Sequence, residues 1–195
     1  NLELVREKIA LRASIDKLVD TASALISAHN SVKGATPLTA APALHLSLDE
    51  GLALLEQFEK LQAEAELLRQ EVVAGEREQQ RMAPWGNYSA EQFARLAEAG
   101  FQIGFYTCAS RIYNPEWEEA HNAFIIDNST NTTYFVTVTK EPIADIEAER
   151  FEISPLGSQQ LAEALAVAQA KYNDKQAEIL KFAVANVANL QHLSS

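Results

Sequence analysis

Glu118 and His121 come closest to a reactive pair in this sequence. An E-x-x-H spacing puts a carboxylate and an imidazole on one helical face, as in di-iron bundles, but such sites repeat the motif and add carboxylates from facing helices. The chain carries the arrangement once, so no metal is expected. Ser89 and Ser110 are nucleophiles by type only, since a catalytic serine wants a strained elbow and a positioned histidine. Ser89 reads better as a helix cap. Cys108, the one cysteine, cannot close an intramolecular disulfide and reads as a small apolar side chain suited to a reducing compartment. His29 and His45 stand without ligand spacing and read as surface polar residues. Seven glycines, scattered along the chain, include no closely spaced loop that would cradle a phosphate. Asn87-Tyr-Ser89, Asn128-Ser-Thr130 and Asn131-Thr-Thr133 match the glycosylation sequon, a pattern short enough to arise in any polar turn. Neither a catalytic residue nor a cofactor is expected. A small enzyme is the reading that a bound metal or nucleotide would favour.

Composition narrows the partners. Lys+Arg 16 against Asp+Glu 27 gives a net charge of −11, which repels phosphate backbones and anionic lipid heads. Nucleic acid is therefore not an expected partner. With 195 residues and 47% hydrophobic side chains, the chain can build a sizeable core. No stretch reaches the roughly 18 uninterrupted apolar residues of a membrane span, and no charged-then-apolar leader opens the sequence. Asn1 falls inside what reads as a helix, without an initiating Met, so a longer, trimmed parent is expected.

Chemistry being absent, geometry carries the reading. The prolines stand at 37, 42, 84, 115, 142 and 155, which leaves 1–36, 43–83 and 156–195 free for long helices rich in Ala, Leu, Glu, Gln and Lys. Leu11, Ile15, Leu18, Ala22 and Leu25 recur at steps of four and three, one apolar seam on one face. Leu54, Phe58, Leu61, Ala65, Leu68 and Val72 repeat the pattern. Leu161, Leu165, Ala168, Tyr172, Lys175, Ile179 and Phe182 form a third seam with one polar interruption. Such seams suit helices lying side by side as in coiled coils. A helix of about 35 residues is roughly 50 Å long, so the pattern implies a rod. A compact helical bundle is the alternative, with Gly75, Lys175 or Asn186 marking breaks. Residues 31–46, with Gly34, Pro37 and Pro42, read as a loop, and Ser47 with Glu50 offers a capping box that restarts a helix.

Residues 84–155 have a different texture. Ser89 and Gln92 form a second capping box, with Tyr88 and Phe93 as its hydrophobic staple, predicting a helix from Ala90 to Gly100. Phe101, Ile103 and Phe105 alternate with Gln102, Gly104 and Tyr106, a strand with one buried face. Asn114 before Pro115 opens a short helical turn containing Trp117. Ala123–Asp127 and Thr133–Thr139 predict an antiparallel hairpin, and Phe151 with Ile153 a fourth strand. The expected class is α+β: a long antiparallel helical coiled-coil rod (1–83 and 156–195) with a small α/β lobe at one end (84–155), its sheet antiparallel or mixed and carrying one or two helices.

The stretch Met82-Ala83-Pro84-Trp85-Gly86-Asn87-Tyr88-Ser89, followed by Phe93, Leu96, Ala99-Gly100 and the strand Phe101–Cys108, resembles subunit I (the a subunit) of V-type and archaeal-type rotary ATPases. Tyr113-Asn-Pro-Glu-Trp117-Glu, Asn122-Ala-Phe-Ile-Ile126 and Tyr134-Phe-Val-Thr-Val-Thr139 look like the bacterial version. The resemblance covers about 82–155; the flanking helices match only in kind. It implies a cytoplasmic arm of two α/β lobes joined by a helical rod, of which this chain would be the rod and the distal lobe. The membrane half, with its proton half-channels and essential arginine, would follow Ser195, so no proton-transfer residue is carried over. The arm would belong to the stator, receive peripheral stalks made of subunits E and G, and resist rotor torque on the cytoplasmic side of the membrane. Pro84, Trp85, Gly86, Ser89, Gly100 and Trp117 are the motif residues, structural in role. Asn87 stands where aspartate is commoner, which removes a charge and keeps a capping side chain. Outside the resemblance, the alternative is a free-standing coiled-coil adaptor whose lobe binds some other protein.

Overall fold

The computed structural model describes residues 1–193. In chain order its elements are α1 (Leu2–Ser31), α2 (Leu48–Met82), a 3-10 turn (Ala83–Trp85), α3 (Ala90–Glu98), β1 (Gln102–Ala109), α4 (Glu116–Ala120), β2 (Ala123–Asp127), β3 (Thr132–Thr139), β4 (Glu149–Arg150) and α5 (Ser158–Leu193). The class is mixed α and β, and the four strands form one antiparallel sheet. The three proline-free stretches each yield one uninterrupted helix. Gly75, Lys175 and Asn186 interrupt neither α2 nor α5. Contacts divide the chain into two units, one of Asn1–Glu71 with the segment from Gln169 onward, the other Val72–Ala168, so α2 and α5 contribute to both.

In the first unit the seams meet in a core of Ile15, Leu18 and Ala22 from α1, Leu55, Phe58, Leu61 and Ala65 from α2, and Ile179, Phe182, Ala183, Val187 and Leu190 from α5. Leu193 lies against Gly51, Phe58 stacks on Phe182 at 5.4 Å, and Lys175 reaches Glu64 at 2.8 Å. Residue numbers fall on α5 as they rise on α2, so the two helices are antiparallel here. Lys175, the polar position in the α5 seam, is accommodated by pairing with Glu64 and with Glu178 at 2.9 Å. The pair holds the Glu64 carboxyl below its usual range, chiefly through the hydrogen bond from Lys175, and raises the ammonium through the reciprocal bonds. Asn186 turns its amide back to the Phe182 carbonyl at 3.2 Å and accepts from Asn189 at 3.1 Å, satisfying its polar groups beside the seam.

The segment between α1 and α2 is a docked strap. Ala41 N–H donates to the Val184 carbonyl at 2.9 Å and Leu44 N–H to Asn189 Oδ1 at 2.7 Å, so the strap advances along α5 in the same sense as its numbering. Asn30 brackets its start, donating to the Leu38 carbonyl and accepting from the Leu38 N–H. Ser47 restarts the helix as expected: its Oγ accepts from Glu50 N–H at 3.2 Å, and its hydroxyl donates to the Glu50 carboxylate at 3.0 Å. The seam of α1 is shorter than the sequence suggests. Leu11 is 40% exposed, so the buried part of the seam begins at Ile15.

In the second unit Leu165 of α5 rests against Gly75 of α2, where the missing side chain allows a close approach. The sheet order is β2-β3-β1-β4, with Phe105 opposite Val136 and Tyr106 opposite Phe135. Both faces are covered, which corrects the expectation of one buried face. One face carries Met82, Trp85, Phe105, Val136 and Leu161; the other carries Tyr106, Trp117, Ala123 and Phe135. Tyr106 is apolar enough over its ring to serve the second cluster, stacking on Phe135 at 5.4 Å. The fourth strand is also displaced. Glu149 and Arg150 pair with Thr107 and Tyr106, whereas Phe151 gives one further bond to the Phe105 carbonyl at 2.7 Å and then, with Ile153, packs on the first cluster outside the strand. Among the described residues no helix is long and apolar enough to cross a membrane.

Candidate functional site

The six motif residues do not form one site. Pro84, Trp85, Gly86 and Ser89 lie where α2 ends, Gly100 ends α3, and Trp117 sits on the opposite face of the sheet.

Proline at the first positions of a 3-10 turn gives up no needed hydrogen bond, and Pro84 closes α2 in this way. The turn drives Trp85 into the sheet, where its ring meets Phe105 at 5.5 Å, Tyr134 at 5.7 Å and Phe151 at 5.2 Å. Trp85 is 7% exposed, and its Nε1 has no hydrogen-bond partner among the described residues. Gly86 follows at φ 66, ψ −141, a conformation that a side chain resists, although a Cβ there would touch nothing within 4 Å. Its need for glycine is conformational. Gly100, at φ 90, turns the chain from α3 toward β1 in the same way.

Tyr88 then stacks on Phe93 at 5.4 Å, the staple the sequence implies. The capping box beside it does not form: Ser89 occupies the N-cap position of α3 but makes no side-chain cap hydrogen bond. The entry angle is already fixed by the Tyr88–Phe93 stack and by the Tyr88 carbonyl, which accepts from Ser158 N–H at 2.9 Å. That bond ties the end of the turn to the start of α5. Arg81, in the last turn of α2, completes the junction: it pairs with Glu78 at 2.6 Å, donates to the Glu152 carbonyl and lies 4.8 Å from the Phe151 ring centre. Hydrogen bonding to Glu78 raises the guanidinium further and lowers the carboxyl. Neither Arg81 nor Ser158 stands in a motif of the sequence.

Two clefts open on the second unit. One, of about 660 Å³, is lined by Asn87, Tyr88, Ser89, Glu91 and the start of α5, and no histidine, cysteine, lysine or arginine is on its wall. The other, of about 730 Å³, holds Cys108, whose thiol is pushed up by burial and by Glu147, the opposite of the activation a nucleophilic thiolate requires. Trp117 stacks on Phe135 at 5.5 Å beneath Tyr113 and serves packing. Asn114 Oδ1 caps the short α4 by accepting from Glu116 N–H at 3.0 Å. Glu118 and His121 find no third ligand: among the described residues no group of three metal-binding side chains occurs. The arrangement joins a sheet to the end of one helix and the start of another. The sequence matches no family model, no curated protein and no solved structure.

Proposed function

We propose that this chain is part of the stator of a membrane rotary ATPase of the V or A type: a cytoplasmic arm that binds peripheral stalks of subunits E and G and links them to the ion channel. In this reading α2 and α5 form a coiled-coil rod, the sheet with its helices is the distal lobe, and the only membrane attachment lies in a portion of the parent beyond this chain. The arm takes no direct part in ATP chemistry or in moving protons or sodium ions; it holds the stationary parts in place.

The observation that supports the reading most is the double anchorage of the lobe. Trp85 plugs the end of α2 into the sheet, and the Tyr88 carbonyl binds the first residue of α5. A load applied to the sheet is thus delivered to two antiparallel helices, each running against the other, instead of to a single flexible link. Packed seams resist shear because every displaced side chain must leave a fitted hole.

The test is co-elution in size exclusion of the chain with an E–G heterodimer from the same organism, repeated after replacing 84–155 by a short linker. Co-elution lost with the lobe supports the stator arm. No complex with the intact chain contradicts it and leaves the free-standing adaptor, whose parent gene would lack the membrane-spanning segments that the stator reading requires downstream.

A further inference from the structure

We propose that the free edge of β2 is a docking site for an extended, basic segment of another protein, which adds to the sheet as a fifth strand. The inference stands independently of the stator reading.

β2 ends the strand order and is paired with β3 alone; the Ala83–Trp85 turn also packs near it, but no strand pairs with its outer edge among the described residues. Such an edge is a template for strand addition unless it is short, charged or covered. The opposite edge is short, since β4 is only Glu149–Arg150. On β2 the exposed side chains are instead apolar: Phe124 is 52% exposed, Ile125 38% and Ile126 43%. Their types favour pleated pairing. The register sets Phe124 beside Val136 and Ile125 beside Phe135, so apolar surface is offered on both faces of the edge. The bulge between Ile125 and Asp127 limits the regular seat to Ala123–Ile125, with Ile126 beside it. An occupant therefore needs side-chain contacts as well as backbone bonds.

Charge selects the occupant. Asp127 belongs to the strand, and α4, which packs against β2, exposes Glu116, Glu118 and Glu119. None of these four carboxylates takes part in an ion pair among the described residues. A second copy would bring the same carboxylates and another net charge of −11 to the contact. A strand in which Lys or Arg alternates with apolar residues has the matching period of two and the opposite sign.

The experiment uses the whole chain and two soluble eight-residue peptides, one alternating Val with Lys and the other Val with Glu. Amide hydrogen exchange is followed at residues 123–127. With the Lys peptide, exchange in β2 should slow by about tenfold or more, since an opened amide gains a partner. The effect should weaken as salt rises from about 0.05 to about 0.5 M, where charge attraction is screened. The double variant Glu118→Lys, Glu119→Lys should weaken binding by at least about tenfold, since it reverses two charges on the helix that packs against β2. Because that variant alters α4, the peptide comparison on the unaltered chain decides independently. Protection by the Glu peptide equal to that by the Lys peptide, or none in β2 with the Lys peptide, overturns the proposal. So does protection that grows with protein concentration without peptide, which would make a second copy the occupant.

Discussion

Replacing Trp85 tests whether the junction depends on its packing, and it does so with two substitutions whose costs should separate. A buried Trp removes about 200 Å² of mostly apolar surface from water, worth about 5 kcal/mol at about 25 cal/mol/Å². Trp85→Ala leaves a cavity among Phe105, Tyr134 and Phe151, and the expected loss is about 3–5 kcal/mol. Trp85→Phe gives up part of the ring but also removes an Nε1 that is buried without a partner among the described residues. Burying such a donor costs about 1–3 kcal/mol, so its removal offsets much of the lost contact. The Phe variant should then cost less than about 1.5 kcal/mol. Near-ultraviolet circular dichroism follows the aromatic cluster, and urea titration gives the free energies. Equal costs for Phe and Ala would show that the indole nitrogen is satisfied and the packing argument wrong; an unchanged midpoint in the Ala variant would show that the turn is not anchored by Trp85 at all.

Three further outcomes follow from the helices. Leu61, 7% exposed in the first core, should not tolerate Asp: cavity and buried carboxylate together cost more than about 4 kcal/mol, and thermal melting by far-ultraviolet circular dichroism should fall sharply, with Leu165→Asp doing less because it is only half-buried. Gly75→Ala should stabilise by up to about 1 kcal/mol: a Cβ would stand 3.1 Å from Leu165 Cδ1, the movable end of a half-buried side chain, while the helix gains the propensity difference. A lower midpoint would mean that Leu165 cannot yield. The contribution of Lys175 should follow two titrations, that of Glu64 and its own. Glu64 is lowered from 4.5, so its share is present above that pH and lost as pH falls through the depressed folded value; Lys175 is raised from 10.5, so its share is present below that pH and lost as pH rises through the raised folded value. The difference in denaturation midpoint between the chain and Lys175→Met should be flat between these pH values and shrink outside them.

How much of this was readable beforehand depends on where the information sits. The three long helices followed from proline positions and seam spacing, because these act within a few residues. The staple at Tyr88 and Phe93, the hairpin and the cap at Ser47 are equally local. Where the structure departs from local pattern, the cause is different. Tyr106 looked outward by alternation because nothing in the strand itself announces that α4 and Trp117 will cover the second face. Phe151 and Ile153 have strand-forming side chains, but the pairing available on β1 places the strand at the two charged residues before them. Ser89 has the spacing of a capping box without its bonds, since the turn is held by the stack and by Ser158. The junction of Arg81, Tyr88 and Ser158 joins residues distant in sequence and leaves no spacing signal.

The antiparallel pairing of α2 with α5 builds the first core. Nitroxide labels on exposed positions of the first unit, with Cys108 replaced by Ser, measure it directly by electron double resonance: Glu59 with Lys181, Gln70 with Ala170, and the crossed pairs Glu59 with Ala170 and Gln70 with Lys181. The matched pairs should give the two short distances, and the crossed pairs should be longer because each carries an axial offset of about 16 Å. Short distances in the crossed pairs and long ones in the matched pairs would mean parallel helices and would contradict the account.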